Sequence, residues 1–345
     1  MLGGMSDTFR WGILGTGNIA RQFAGNLGQL PDHELVAVAS RSETRAQAFC
    51  LTHGGEAARD YDALVRDDRL DAVYVSLPNH MHFEWSIKAL AAGRHVLCEK
   101  PLALSVAEAR QMFAIARERE RLLVEGFMYR CHPQTQAIVA AVRRGDIGQL
   151  THVRLSFIFR IRNTEGNIRL APEMGGGAML DVGCYCLDFA RLLANAPLVD
   201  IRAISRFTAP PEPDVARVDM MTSAVVVYEN GVHAAFTVGM DAESDNAALI
   251  GGTDGYITVN WPWKPTNETA GYTLARGIPP RQDLKPGEQP VAPPPVFVAA
   301  PSEHPTFALE ARAFAAACRG AAPPFMTEED SIANAEALER IRAAW

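Results

Sequence analysis

The sequence predicts an α/β protein in two parts: a parallel, doubly wound sheet, then an α+β part with an open, mostly antiparallel sheet. Three observations predict it. Short apolar runs alternate with helical periodicity from Phe9 to Glu125. The first of those runs ends in a glycine turn that opens a helix. After about Gly148 the period becomes strict alternation, with hairpin turns between the runs.

Phe9 to Leu14 is apolar and ends in glycine, so it reads as a strand. Asn18 to Leu30 reads as a helix, with Ile19, Phe23 and Leu27 four apart. Leu35 to Ser40 is a buried strand, and Glu43 to His53 a helix stopped by two glycines. Tyr61 to Val65 is a helical turn before the strand Ala72 to Leu77. His82 to Ala92 is helical and stops at Gly93; His95 to Cys98 is the fourth strand. Ser105 opens the next helix with Glu108 three residues on, a capping box; that helix runs to Glu120 and leads to a fifth strand, Leu122 to Glu125.

In the second part Thr151 to Arg162, Leu198 to Phe207, Met220 to Tyr228, Val232 to Val238, Ala247 to Gly251 and Tyr256 to Val259 alternate. Asn230-Gly231 and Asp254-Gly255 supply turns between them. One helix, Met179 to Leu193, interrupts the strands. Trp261 to Pro305 is proline-rich and reads as loops and edge strands, before helices Thr306 to Cys318 and Glu328 to Trp345. The change of pattern divides the chain into 1–129 and 130–345, with the C-terminal helix free to pack back on the first part.

A chain of 345 residues suits two domains or one large α/β unit. With 48% hydrophobic and 21% charged residues it is too apolar for a disordered chain. The net charge of −7 offers no footprint for nucleic acid or an anionic membrane, while a local basic pocket for a phosphate stays open. No apolar run approaches the roughly 20 residues that span a bilayer. Met1 to Thr8 lacks the basic and apolar regions of a signal peptide and reads as a loose tail. Six scattered cysteines without a C-x-x-C pair read as reduced core thiols of a cytoplasmic protein, and no metal site is expected.

Four stretches carry chemistry. Gly15-Thr16-Gly17-Asn18-Ile19-Ala20 reads G-x-G-x-x-A between a strand and a helix, the context of a Rossmann dinucleotide fingerprint. Gly15 permits the tight turn, Gly17 lets backbone approach a pyrophosphate, and Ala20 allows close helix–strand packing. The second strand ends Ser40-Arg41-Ser42 with no carboxylate for a ribose. Arg41 and the serine hydroxyls suit a 2′-phosphate, which favours NADP(H) with NAD(H) as the alternative; a solvated arginine is the plain reading. Lys100 follows the fourth strand, between Glu99 and Pro101, where parallel sheets bind ligands; a lone surface lysine is the commoner case. Asp181 and Tyr185 follow three glycines, four apart on one helix face: an acid–base pair, or a helix-start carboxylate and a core tyrosine. Arg160, Arg162, Asn163 and Arg169 bind sugar hydroxyls or phosphate, or form a solvated loop.

Ser76 to His82 (SLPNHMH) is similar to a family's P-N-x-x-H segment, and Ala91 to Pro101 (AAGRHVLCEKP) to its AGKHVLCEKP signature. With the G-x-G-x-x-A start and the GGG-x-x-x-D helix, the chain resembles the glucose–fructose oxidoreductase/inositol dehydrogenase/rhizopine catabolism (Gfo/Idh/MocA) family over nearly its whole length. The resemblance implies a Rossmann domain, then an open sheet whose outer face builds a homodimer or homotetramer. It implies hydride transfer between NADP(H) and a sugar or polyol carbon, with Lys100 as the catalytic lysine and Asp181 orienting the substrate. Many members have His four residues after that aspartate; Tyr185 stands there, as in the branch of glucose–fructose oxidoreductase, dihydrodiol dehydrogenase, xylose dehydrogenases and nucleotide-sugar ketoreductases. In that branch the tyrosine is the general acid/base. The resemblance further places Leu77, Pro78, Asn79, His82 and Glu99 on the cofactor. Glu125 to Pro133 (EGFMYRCHP) is similar to its NFMYRFHP segment and places Tyr129 and Arg130 near cofactor and substrate. An aldose or sugar dehydrogenase is the leading expectation; a keto-sugar or nucleotide-sugar reductase and a silent cofactor-binding sensor are the rivals.

Overall fold

The computed structural model describes residues 8–208, 216–278, 289, 291–343 and 345. All but Thr8 of the expected tail lies outside that range, as do 279–288 and 290 of the proline-rich stretch. The chain divides into two units. One comprises Met1–Cys131, Glu173–Gly175 and His304–Glu336; the other comprises His132–Pro172, Gly176–Glu303 and Ala337–Trp345.

The first unit is built on six parallel strands: β1 Phe9–Leu14, β2 His33–Ala39, β3 Glu56–Ala57, β4 Ala72–Val75, β5 His95–Glu99 and β6 Leu123–Gly126. Their order is β3-β2-β1-β4-β5-β6, so the winding reverses between β1 and β4 and opens a crevice at the strands' carboxyl ends. Helices α1 Asn18–Leu27, α2 Glu43–His53, α3 Tyr61–Val65, α4 His82–Ala91 and α5 Val106–Glu118 connect them. Because helices cover the sheet, β4 and β6 are buried at every residue, which is why they read as continuous apolar runs. The expected cap opens α5: Ser105 Oγ accepts the Glu108 N–H at 3.2 Å, and Glu108 reaches back to the Leu104 N–H at 3.0 Å. Helix α8, Thr306–Cys318, adds Phe314 to the core, 5.3 Å from the Trp11 ring, while Phe23 stacks on Tyr74 at 3.9 Å.

Two elements end earlier than periodicity suggests. Gly28 stops α1 after Leu27, and β4 stops at Val75, where its pairing with β1 and β5 ends. The two-residue β3 is too short to carry a period.

The second unit carries eight strands in the order β14-β13-β12-β11-β7-β10-β9-β8. These are β7 Leu150–Ile158, β8 Leu198–Phe207, β9 Asp219–Tyr228, β10 His233–Gly239, β11 Ala247–Gly252, β12 Gly255–Asn260, β13 Gly271–Arg276 and β14 Val296–Ala299. Only β7 and β10 run parallel; the other pairs are antiparallel. The last two strands come from the proline-rich stretch: β14 is an edge strand as expected, but β13 lies inside the sheet, paired with both β12 and β14. One register row runs from Arg202 through Val225, Ala235, Arg154, Leu249, Thr258 and Thr273 to Phe297. Val225 and Phe297 of that row are exposed, whereas the neighbouring Val226, Ala234, Val153, Ile250 and Ile257 face the core. The outer face is therefore mixed, with arginines among its apolar groups.

Two helical features depart from the sequence reading. Helix α6, Pro133–Arg144, was not anticipated; His132 caps it by accepting the Gln134 N–H, and Pro133 starts it. The helix expected over Met179 to Leu193 begins as a π-helical turn, Met179–Gly183, and becomes α7 only at Cys184–Ala194. Gly183 gives the reason: the Met179 side chain lies where a Cβ on residue 183 would be, 2.6 Å from that position, and the wider turn makes room for it.

Candidate active site

The first βα turn joins the carboxyl end of β1 to α1. Gly15 has φ +107°, and a Cβ there would lie 2.9 Å from the Ser76 carbonyl oxygen, so only glycine fits. Gly17 is the N-cap of α1, with no side chain capping that end and nothing within 4 Å of its Cβ position. The free N–H groups of α1 thus face open space, which fits a dinucleotide pyrophosphate. Asn18 is exposed and Ile19 half-buried on the same turn. Thr16 Oγ1 lies 3.3 Å from Ser40 Oγ, tying this turn to the end of β2. Arg41 beyond it is exposed. Ser42 is committed elsewhere, as the cap of α2, and Glu43 accepts from Gln47 within that helix. The end of β2 therefore presents a serine hydroxyl and a guanidinium.

The carboxyl end of β5 is held from several directions. Glu99 is buried; it accepts the Tyr74 hydroxyl and, at 3.3 Å, the Lys100 N–H. The Lys100–Pro101 bond is cis. Beyond it, the Leu102 N–H donates to Glu125 Oε1 at 2.9 Å. The His82 ring is fully buried, with Nδ1 2.9 Å from the Pro101 carbonyl and Nε2 2.8 Å from the Leu77 carbonyl. Burial pushes this imidazole down to about 4, so the neutral ring donates to one of the two. His82 thus ties the turn after β4 to the Lys100 turn. Pro78 and Asn79 follow Leu77, and Asn79 Nδ2 donates to the Gly175 carbonyl at 2.8 Å.

One titratable group in this unit escaped the sequence reading. Glu310 of α8 is fully buried, and neither oxygen has a hydrogen-bond partner among the described residues. Its Oε1 sits 3.4 Å from the Cβ position of Gly126, the β6 residue paired with Glu99. Burial, and then the Glu99 charge, push its carboxyl well above the usual range. An acidic residue in an alanine-rich helix carries no mark of this in the sequence.

Arg130 is buried, with Nη1 donating to the Phe325 carbonyl at 3.0 Å and to Asp330 Oδ2 at 2.8 Å. Tyr129 is fully buried, edge-on to Phe127 at 6.1 Å. Both anchor the segment leading out of β6. Burial raises the Cys98, Cys131 and Cys186 thiols well above the usual range, which leaves them unreactive.

In the second unit, Asp181 and Tyr185 share one helical segment. Asp181 Oδ2 accepts from Arg169 Nε at 2.6 Å, which takes Arg169 out of the solvated loop and makes it a charged partner of the site. Tyr185 is buried in an aromatic box: Phe157 at 5.4 Å and Trp263 at 5.9 Å meet its ring edge-on, and those two stack on each other. Trp263 is fixed in turn by Nε1 donating to the Ser156 carbonyl at 3.0 Å. The box comes from β7 and from the proline-rich stretch read as loops and edge strands. Arg162 and Asn163 lie in an exposed loop: Arg162 is 3.5 Å from Glu243, and Asn163 closes a local turn onto Glu165.

Comparison with known proteins bears on both units. Residues 9–127 match the oxidoreductase family with an NAD-binding Rossmann fold, and residues 135–258 match the Gfo/Idh/MocA C-terminal domain. The chain belongs to the Gfo/Idh/MocA family. It is an NAD(P)-dependent oxidoreductase. Family relatives include the dTDP-3,4-didehydro-2,6-dideoxy-alpha-D-glucose 3-reductase of Actinomadura kijaniata, 35% identical over 98% of this chain and 96% of that protein. D-xylose 1-dehydrogenase (NADP(+)) 2 of Haloferax volcanii is 36% identical over 72% of this chain and 75% of its own. The mouse trans-1,2-dihydrobenzene-1,2-diol dehydrogenase is 33% identical over 74% and 76%. A 3-ketoreductase from Actinomadura kijaniata, crystallised with NADP and TDP-benzene, superposes with a TM-score of 0.84 at 34% identity, covering 97% of each chain.

Proposed function

We propose that this Gfo/Idh/MocA protein transfers a hydride between NADP(H) and a carbon of a sugar or polyol, acting as an aldose or related sugar dehydrogenase. The observation that carries the reading is the retention of Lys100 at the end of β5 together with Asp181 and Tyr185 on one helical segment, in a chain related end to end to a sugar reductase.

Gly15, Thr16, Gly17, Asn18 and Ile19 hold the pyrophosphate, and Ser40 with Arg41 take the 2′-phosphate. Leu77, Pro78, Asn79, His82, Glu99 and Arg130 form or brace the wall beside the nicotinamide. When bound, the nicotinamide accepts or supplies the hydride. Tyr185 Oη exchanges the proton of the substrate hydroxyl. The Lys100 ammonium favours the developing alkoxide. Asp181, oriented by Arg169, holds a second hydroxyl, and Tyr129, Arg162 and Asn163 complete the substrate contacts. In the dehydrogenase direction Tyr185 takes the proton; in the reductase direction it gives it.

A second reading, NADPH-dependent reduction of a keto sugar or nucleotide sugar, is favoured by the reductase related over 98% of this chain. A sensor without catalysis is disfavoured because Lys100, Asp181 and Tyr185 are all present. The protein works as a homodimer or homotetramer through the outer face of the second sheet, where Ile204, Val225 and Phe297 are exposed. Its six free thiols suit the cytoplasm. No helix of the described residues is long and apolar enough to cross a membrane.

An absorbance screen of aldoses, ketoses, inositols and nucleotide-linked keto sugars in both directions tests the reading. Turnover of an aldose with NADP⁺ supports the first version, and turnover of a keto sugar with NADPH the second. Tight NADPH binding with no turnover across the panel refutes both. With a substrate in hand, Tyr185→Phe should keep fold and cofactor affinity while turnover falls by about 10²–10⁴-fold. Near-normal single-turnover hydride transfer would assign the proton elsewhere.

A further inference from the structure

Asp219 opens β9 and is almost wholly buried. Its carboxylate belongs to none of the groups assigned above. Oδ2 accepts the Met179 N–H at 2.9 Å and the Thr222 hydroxyl at 2.8 Å. Thr222 in turn lies 2.8 Å from the Ser205 hydroxyl on β8. Met179 is the first residue of the π-helical turn that carries Asp181 and runs into α7 with Tyr185. Asp219 therefore does for this turn what an N-cap side chain does for an ordinary helix, but from a neighbouring strand.

Gly177 completes the arrangement. Its φ is +113°, and a Cβ there would lie 2.3 Å from Asp219 Oδ1. Only glycine lets the carboxylate come so close. The Gly177 N–H donates to the Arg169 carbonyl at 2.9 Å, and its carbonyl accepts the Asp181 N–H at 3.1 Å. One short segment thus ties together Arg169, Asp181 and the strand that carries Asp219.

We propose that Asp219, seated against Gly177, is a positioning residue that fixes the start of the π-helical turn and so sets where Asp181 and Tyr185 stand. The proposal rests on the reading of Asp181 and Tyr185 as the substrate-orienting and proton-exchanging groups. Asp219 touches neither substrate nor cofactor in this scheme. It acts through the Met179 amide, and a small shift of a reacting group is costly to rate. The first amide of a helical turn has no partner within the turn, so the Asp219 contact is what holds this one in place.

The test compares Asp219→Leu, Thr222→Val and Tyr185→Phe in the full chain. Amide hydrogen exchange is read across the molecule alongside single-turnover hydride transfer and NADPH binding. Asp219→Leu should speed exchange in Met179–Gly183 by about 10-fold or more, with β9 and β10 still protected and NADPH affinity unchanged. Hydride transfer should fall by about 10–100-fold. Thr222→Val loosens Asp219 without removing it, and should move both readouts in the same direction by about 2–10-fold, the worth of one hydrogen bond. It keeps the test decisive where Asp219→Leu fails to fold. Unchanged exchange in Met179–Gly183 overturns the proposal, and so does faster exchange with wild-type hydride transfer. Wild-type rates in Tyr185→Phe would instead refute the assignment of the proton, a separate failure that leaves the exchange result standing.

Discussion

Replacing Glu310 by Gln should make the protein increasingly more stable than wild type as the pH rises. The native carboxyl is fully buried, its oxygens find no donor among the described residues, and Glu99 lies beside it, so it titrates well above the ordinary range. In the unfolded chain the same group loses its proton near pH 4.3. Between those two values the native state holds one proton that the unfolded state has released. Wild-type stability therefore falls as pH rises through that window, by up to about 1.4 kcal/mol per pH unit. Glutamine holds no titratable proton, so the term vanishes in the variant. Its buried amide brings a cost of its own, because nothing in the site pairs with it, but that offset is the same at every pH. From pH 5 upward the difference between variant and wild type should widen steadily, by at most about 1.4 kcal/mol per pH unit, until the native carboxyl itself loses its proton. Thermal unfolding of both proteins at unit steps from pH 5 to pH 8 measures it. Parallel curves would mean that Glu310 is ionised in the native state and that the reasoning from its burial is wrong.

Three further outcomes are expected. Arg41→Ala should weaken NADPH binding by about 1.5–3 kcal/mol, one charge-assisted contact, and leave NADH nearly unchanged; equal weakening of both by calorimetry would end the NADP(H) assignment. Gly17→Val should fold normally, since its φ of −72° suits any residue and nothing lies within 4 Å of its Cβ position, yet lose cofactor affinity by about 10-fold or more; wild-type affinity in a titration would show that no pyrophosphate approaches there. Light scattering at micromolar concentration should give a mass of two or four chains, and a monomer would remove the role given to the outer sheet face.

The sequence alone determined the order of most elements (though not β3 or α6), the switch in period near Gly148, and the family. Those signals are local. A strand buried on both faces is apolar throughout, as β4 is, and a turn that needs φ near +107° keeps glycine at residue 15 whatever lies around it. The candidate site could be proposed from sequence for the same reason, because Lys100, Asp181 and Tyr185 sit in contiguous motifs. Only the tertiary structure decided what those residues touch. Arg169 looked like a loop arginine until the fold brought it to Asp181, 12 residues on. Trp263 lay in a proline-rich stretch of weak period, and its stacking on Phe157 beside Tyr185 joins residues 106 apart. Asp219 and Glu310 look like any acidic residue in a strand or a helix, because burial is a property of neighbours distant in the chain. The π-helical turn depends on Met179 finding room over Gly183 and a carboxylate from β9, which no pattern within residues 179–193 encodes.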